Sequence, residues 1–214
     1  MVGWIEQARE VPRHWRELAA VAATGALHLT WPTDWSRGWW VVPVVLAWVA
    51  HVAVTARRDP EALAGWGLRR DGLLPTSLAV GAVSLVAGAG MLAWGASTGA
   101  TYGWTFALAL VSYPLWGLVQ QLLVQGVVTG NLARLPIPGA PYVAALGSAV
   151  VFGVVHAAEP VLVVATFGMG LVFAPIWLRW RNLWPLGLAH GWLGAIVYFA
   201  VLHQDPLGAY LLGP

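Results

Sequence analysis

Cysteine and lysine are both absent from this 214-residue chain, and charged residues of every kind are scarce. Without cysteine there are no disulfides and no thiolate chemistry, and cysteine usage gives no indication of the compartment. Charged residues make up 9% of the chain and hydrophobic residues 59%, so there is too little polar surface to coat a soluble globule of this size. The composition therefore predicts an integral membrane protein.

The distribution of arginine predicts the topology. With the N-terminus inside, every arginine except Arg37 falls in a segment predicted to be cytoplasmic, as the positive-inside rule requires. These arginines also explain the basic isoelectric point of about 9.4, so the partner we expect is the lipid bilayer and not a nucleic acid. The sequence predicts an all-α, polytopic membrane helix bundle, N-inside, in a prokaryotic cytoplasmic membrane.

We predict three segments along the chain. An amphipathic segment at 1–17 lies at the membrane interface, a single transmembrane bundle covers 18–205, and a short tail covers 206–214. Seven apolar stretches lie within the bundle, several of them near the length of about 20 residues that a bilayer needs. The predicted spans are 18–33, 39–56, 73–97, 103–130, 142–158, 160–178 and 183–203.

Three glutamines interrupt the fourth apolar stretch. Gln121 and Gln125 are four residues apart and share a helix face, with Gln120 one position round. A side-chain amide at such depth in a membrane must find a hydrogen-bond partner. This stretch is therefore the first candidate for a polar site within the bilayer.

Three short motifs occur in the second half of the chain: Gln120-Gln121-x-x-x-Gln125, Phe152-x-x-x-His156 and His190-x-x-x-Gly194. Their order resembles the CPBP family (CAAX protease and bacteriocin-processing), membrane-embedded proteases whose motifs run Glu-Glu-x-x-x-Arg, Phe-x-x-x-His and His-x-x-x-Asn on successive helices. The resemblance covers roughly residues 70–203. It implies a helical membrane core and a lipidated, prenylated or membrane-embedded substrate, with the site residues at these positions.

The departures from the family pattern fall on its chemistry. The family's first glutamate is thought to activate water as a general base, and an amide at Gln120 or Gln121 cannot take up a proton. Gln125 stands in place of the arginine, so both sides of an ion pair are neutral while hydrogen bonding is retained. Standard glutamate-dependent proteolysis is therefore not expected, and acid–base chemistry would fall to His156 and His190.

Glu159 is the sole acid between Asp71 and Asp205. It follows His156 by three residues and would share its helix face, where a carboxyl group could join acid–base chemistry. The alternative is that Glu159 caps a loop at the outer interface, because Pro160 ends the helix there.

Depth along the helices raises a further question about His156. Counted at about 1.5 Å per residue, this histidine does not reach Gln121 and His190 unless the fifth span begins later than residue 142. The prolines and glycine between 136 and 141 make a late or re-entrant start reasonable.

Four residues complete the candidate site as substrate-binding positions: Phe152, Trp116, Trp192 and Gly194. Trp116 lies one helical turn before the glutamines and Trp192 follows His190, so either could line a pocket, although helix packing is an alternative role. Gly187 and Gly191 form a small-x-x-x-small face beside His190, which predicts a close contact with another helix.

A metal is a further alternative, with a divalent ion on His156 and His190 and extra ligands from other histidines. No pair has the His-x-x-x-His spacing of a zinc site, and histidines in membranes more often hydrogen-bond a carbonyl or an amide. We therefore expect no metal and no other cofactor. The extra ligands would be His28, His51 and His203.

Three functions remain open from the sequence. The first is a CPBP-like enzyme that uses its histidines on a hydrophobic or lipidated substrate, an isoprenoid for instance. The second is a catalytically inactive relative that serves as a membrane scaffold, chaperone or immunity factor. The third is a metal-dependent membrane enzyme. A co-encoded partner protein is a further expectation.

Overall fold

The computed structural model describes residues 2–30 and 37–212, and within these ranges the chain forms helices and no strands. Several helix boundaries follow glycine and proline: Gly99 ends one helix in a left-handed conformation (φ 79°), and Pro160 occupies the first position of another. The helices are α1 (Val2–Thr30), α2 (Arg37–Arg58), α3 (Glu61–Gly65), α4 (Leu73–Thr98), α5 (Trp104–Leu132), α6 (Ala140–Val154), α7 (Pro160–Trp180), α8 (Trp184–Val201) and α9 (Pro206–Leu212).

Four helices, α4, α5, α7 and α8, are long and apolar enough to cross a membrane, and α6 is a shorter apolar helix. Large aliphatic side chains on their outer faces are exposed, including Leu85, Val86, Val111 and Val164. Contiguous exposed apolar surface of this kind belongs in lipid. The prediction of an all-helical, polytopic membrane bundle is confirmed.

The predicted interfacial segment and the predicted first span form one continuous helix, α1. The reason is local, because no glycine or proline lies between Pro12 and Gly25 to interrupt it. Residues 31–33 of that span lie outside the described residues. Four of the seven predicted spans correspond to α4, α5, α7 and α8, the helices that are long and apolar enough to cross a membrane. The span predicted at 142–158 corresponds to the shorter helix α6. The N-inside orientation stays a prediction.

A charged network connects α1 to the rest of the bundle at the predicted inner end. Glu17 is buried and accepts hydrogen bonds from Arg13 (3.0 Å), Asn131 (3.1 Å) and His51 (3.4 Å). The guanidinium of Arg13 also donates to Asp59 at 2.9 Å. We call these five residues the Glu17 network, and within it every oxygen of Glu17 has a partner.

Helices α5 and α8 are in backbone contact through glycines. A Cβ atom at Gly117 would lie 2.6 Å from the backbone nitrogen of Gly191, and one at Gly191 would collide with the backbone of Tyr113 and Pro114. Gly187 faces Leu118 in the same way. The close helix contact predicted from the small-x-x-x-small face is confirmed.

Both of these helices change from α to π geometry. In α5 the change covers Leu122–Thr129, immediately after Gln121, and in α8 it covers Val197–Val201. The hydroxyl of Thr129 donates to the carbonyl of Val124, five residues earlier, at 3.0 Å. π-Helical turns occur frequently at functional sites, which directs attention to the space beside these segments.

Candidate functional site

A cavity of about 330 Å³ lies among α4, α5, α7 and α8. Its walls are mainly apolar, with Val83 and Met91 on one side and Met169 and Phe173 on another. In the part of the chain that the structure describes, no side chain lining it is charged. We call it the intramembrane cavity, and its polar lining consists of Tyr113, Gln120, His156, Thr166, His190 and Tyr198.

His156 lies in the turn after α6 and is held by a backbone carbonyl. Its Nδ1–H donates to the carbonyl oxygen of Phe152 at 2.8 Å. The hydroxyl of Thr166, on α7, donates to the same oxygen at 3.1 Å. With Nδ1 protonated and engaged, the Nε2 of His156 is the nitrogen that can accept a proton.

His190 is buried and held by α5. The side-chain amide of Gln121 donates to the Nδ1 of His190 at 3.3 Å, and the backbone of Gly117 supplies a further hydrogen bond. An Nδ1 that accepts leaves the proton on Nε2. The ring of His190 is therefore held by two residues of α5, and the close α5–α8 contact makes this possible.

The ring of Phe152 packs edge-on against both imidazoles. Its centroid lies 5.3 Å from that of His156 and 5.0 Å from that of His190. The two histidines therefore contact the same buried phenyl ring, and both line the intramembrane cavity.

The late start considered for the fifth span is wrong, because α6 begins at Ala140, before residue 142. His156 still reaches the site. The count along straight helices did not predict this position, and it placed His156 in a helix, whereas α6 ends at Val154 and the histidine lies in the turn beyond it.

The three glutamines do not act as one cluster. Gln120 lines the cavity, whereas Gln121 lies behind it against His190. Gln125 is buried within the π-helical segment, where its Oε1 accepts from Thr129 at 2.8 Å. Two atoms of these buried amides, Oε1 of Gln121 and Nε2 of Gln125, have no hydrogen-bond partner among the described residues.

Glu159 caps the N-terminus of α7 and does not line the cavity. Its carboxylate accepts a hydrogen bond from the backbone nitrogen of Val161 at 3.3 Å. The structure thus places this acid in the capping position that the sequence offered as its alternative role.

Of the four predicted substrate-binding residues, Phe152 is buried against both histidines and does not line the cavity, and the other three separate into two groups. Trp116 and Gly194 line the cavity. Trp192 does not, and its indole nitrogen donates to the carbonyl of Leu110 at 3.0 Å. A Cβ atom at Gly194 would meet only Tyr113, at 4.0 Å, so a larger side chain fits at this position.

Sequence reasoning missed Tyr113, Thr166 and Tyr198. The tyrosine rings are 6.4 Å apart and perpendicular. A periodic signal was present, because Tyr198 follows His190 by eight residues and Tyr113 precedes Gln120 by seven, in each case about two helical turns on the same face. Thr166 carries no such signal, since its role depends on the packing of α7 against α6.

Metal binding at this site would rest on two imidazoles. Within the described ranges, no group of three or more histidine, cysteine, aspartate or glutamate side chains is arranged to hold a metal ion. The Nδ1 atoms of His156 and His190 are both engaged in hydrogen bonds, so neither could bind a metal without losing its present partner.

Comparison with known proteins supports the resemblance drawn from the motifs. A family model described as Rce1-like, type II CAAX prenyl endopeptidase, matches residues 102–196. No curated protein and no solved structure matches the chain. The matched segment runs from the start of α5 into α8 and contains all three motifs, although it is shorter than the 70–203 expected. This segment is similar to CAAX protease-like proteins and supports the CPBP resemblance, and the apolar helices are those of an integral membrane protein.

Proposed function

We propose that this protein is a divergent CPBP membrane hydrolase in which His156, in place of a glutamate, is the general base. The single observation that carries the proposal is the hydrogen bond from Nδ1–H of His156 to the carbonyl of Phe152 (2.8 Å). It leaves the basic Nε2 in a cavity that holds no carboxylate among its described lining residues.

The cavity supports an apolar, membrane-embedded substrate. Aliphatic, thioether and aromatic side chains from α4, α5 and α7 make up most of its lining, and such walls favour a hydrocarbon chain. The reacting group of the substrate would lie at the polar end, beside His156 and Gln120. A lipidated or prenylated chain with a hydrolysable amide or ester next to the lipid fits both ends.

The reaction we propose is hydrolysis without an acidic residue. The Nε2 of His156 takes a proton from water, and the water oxygen attacks the carbonyl carbon of the amide or ester. The amide N–H group of Gln120 stabilises the charge that develops on the carbonyl oxygen. The bond to the leaving group then breaks, and His156 returns the proton to that group.

His190 has a positioning role in this proposal. It is buried, and Gln121 and Gly117 hold its ring. Its ring packs against Phe152, which also contacts His156. A glutamate at 121 would accept a hydrogen bond from Nδ1–H, whereas the amide of Gln121 donates a hydrogen bond to Nδ1, so the substitution sets the opposite tautomer and keeps the site neutral.

The experiment compares wild type with His156→Gln in nanodiscs, using a prenylated peptide and a matching ester as substrates. We expect turnover to fall by about 100-fold or more, the range of a lost general base. The matched control is His203→Gln, because His203 is exposed and hydrogen-bonds Thr98 at the edge of the bundle. Full turnover by His156→Gln would overturn the proposal.

A second function is favoured by the uncharged lining of the cavity, namely binding of a lipidated segment without chemistry. Labelling by a photoreactive alkyl or prenyl probe would then be equal in wild type and His156→Gln, and neither would turn over substrate.

A gain-of-function variant further distinguishes hydrolysis from binding without chemistry. Gln120→Glu with Gly194→Asn restores two family residues at lining positions, and the space at Gly194 accepts the change. Cleavage gained only by this variant would assign the wild type to binding.

A further inference from the structure

A second recess, away from the intramembrane cavity, opens at the predicted inner end of the bundle. It is an open depression of about 510 Å³ between α3, the start of α4, the end of α5 and the end of α7. We call it the arginine recess, and its charged lining residues are Glu61, Arg69, Asp71, Arg134 and Arg181.

Two of its arginines are held in place without a carboxylate. Arg134 donates to the Nε2 of His14 at 2.7 Å, and the guanidinium of Arg181 lies 4.3 Å from the ring centroid of Trp177. Across the described chain, no carboxylate lies within 4.0 Å of either guanidinium. Burial and then the charge of Arg134 lower the pKa of Arg181, so the two charges repel one another.

The remaining charges of the recess leave a net positive site. Arg69 is paired with Asp71 at 2.6 Å, so these two cancel. Glu61 is exposed and opposes the charges of Arg134 and Arg181. An anion between these two guanidinium groups, which lack a carboxylate partner, would relieve their repulsion and accept hydrogen bonds from their remaining donors.

We propose that the arginine recess binds the phosphate of an anionic phospholipid headgroup. Apolar surface next to the recess favours a lipid over a free phosphate ion. Helix α4 begins at Leu73, two residues after Asp71, and the side chains of Leu74 and Leu78 are 69% and 67% exposed. Acyl chains could lie along this surface while the phosphate occupies the recess.

The test measures lipid retention by the full chain in detergent, using native mass spectrometry with phosphatidylglycerol against phosphatidylcholine. Wild type should retain phosphatidylglycerol preferentially. Arg134→Gln and Arg181→Gln should each weaken retention by about fivefold, and the double variant by about 25-fold, at about 1 kcal/mol for each arginine near a lipid surface. Glutamine keeps a side-chain stem over Trp177, which limits the loss of packing at position 181.

Two further variants keep the proposal testable if the double variant fails to fold. Arg179→Gln, at an exposed residue outside the recess, should bind like wild type. Glu61→Gln removes the opposing charge and should strengthen retention of phosphatidylglycerol. Equal retention of both lipids by wild type, or no change in Glu61→Gln and the arginine variants, would overturn the proposal. Competition by inorganic phosphate at the same concentration would assign the recess to a soluble ligand and reject the lipid.

Discussion

The intramembrane cavity and the Glu17 network both bury polar side chains, and the structure treats the two in opposite ways. Glu17 has three donors around its carboxylate. In the core beside the cavity the buried polar groups are neutral, and Gln121 and Gln125 each keep an atom without a protein partner. Full pairing marks the first region as structural. Incomplete pairing next to a cavity indicates a place where water or a ligand completes the site.

The largest loss of stability should come from disrupting the close contact between α5 and α8 at the wall of the cavity. Gly191→Ala places a methyl group against the backbone of Tyr113 and Pro114, which cannot yield as a side chain would. We expect a loss of about 3 kcal/mol in the free energy of unfolding. Denaturation in detergent measures it. Gly90→Ala is the control, because a Cβ at Gly90 meets nothing within 4 Å, and equal losses in the two variants would contradict the close contact.

The next largest loss of stability should come from breaking the Glu17 network. Glu17→Ala removes the acceptor of Arg13, His51 and Asn131, while Arg13 keeps its bond to Asp59. Because the arginine is partly exposed and stays paired, we expect about 2 kcal/mol, below the usual cost of breaking a buried ion pair. The same unfolding assay applies, and Glu61→Ala, at an exposed acid, should stay within about 0.5 kcal/mol.

A change at Gln121, beside the cavity, tests whether incompletely paired polar groups contribute less to stability than the Glu17 network does. Gln121→Met, close to isosteric, takes the donor away from Nδ1 of His190 but also removes an unpaired oxygen. The two terms oppose one another, and we expect a net loss of about 1 kcal/mol. A loss as large as that of Glu17→Ala would mean that Gln121 is fully paired and that the contrast does not hold.

The smallest effect should come from Gln125→Met. Thr129 keeps the carbonyl of Val124 as an acceptor, and the unpaired Nε2 of Gln125 disappears. We expect a change within about 0.5 kcal/mol, with stabilisation the more favoured sign. Thermal unfolding of the two glutamine variants side by side checks the order. Destabilisation of more than about 1.5 kcal/mol would show that Nε2 has a partner of its own, such as water.

The parts of the fold that follow from composition and periodicity could be predicted. The lengths of the apolar stretches predicted α4, α5, α7 and α8. The spacing of Gly187 and Gly191 predicted their close contact with another helix. The motifs placed Gln120, His156 and His190 near one another. The apolar lengths and the glycine spacing can be read directly from the sequence, whereas the motif residues were expected together only through the family resemblance.

The features that depend on winding and packing could not be predicted. No residue pattern predicted the π-helical segment after Gln121. This segment separates Gln125 from the cavity. The sequence predicted His156 within a helix, whereas it lies in the turn after α6. The end of α6 depends on its packing with α7, so it could not be predicted. The pairing of Glu17 with Asn131 joins residues 114 positions apart, and only the folded chain brings them together.

The winding of Leu122–Thr129 has a consequence for the spacing of the chain itself. Each turn there takes up more residues than an ordinary helical turn, so the segment sets the angular phase between the half of α5 that touches the cavity and the half that touches α1. Because the wide turns accommodate one extra residue, deleting one residue and restoring regular winding would nearly keep this phase and leave Asn131 facing Glu17, whereas regular winding of all eight residues would turn Asn131 away.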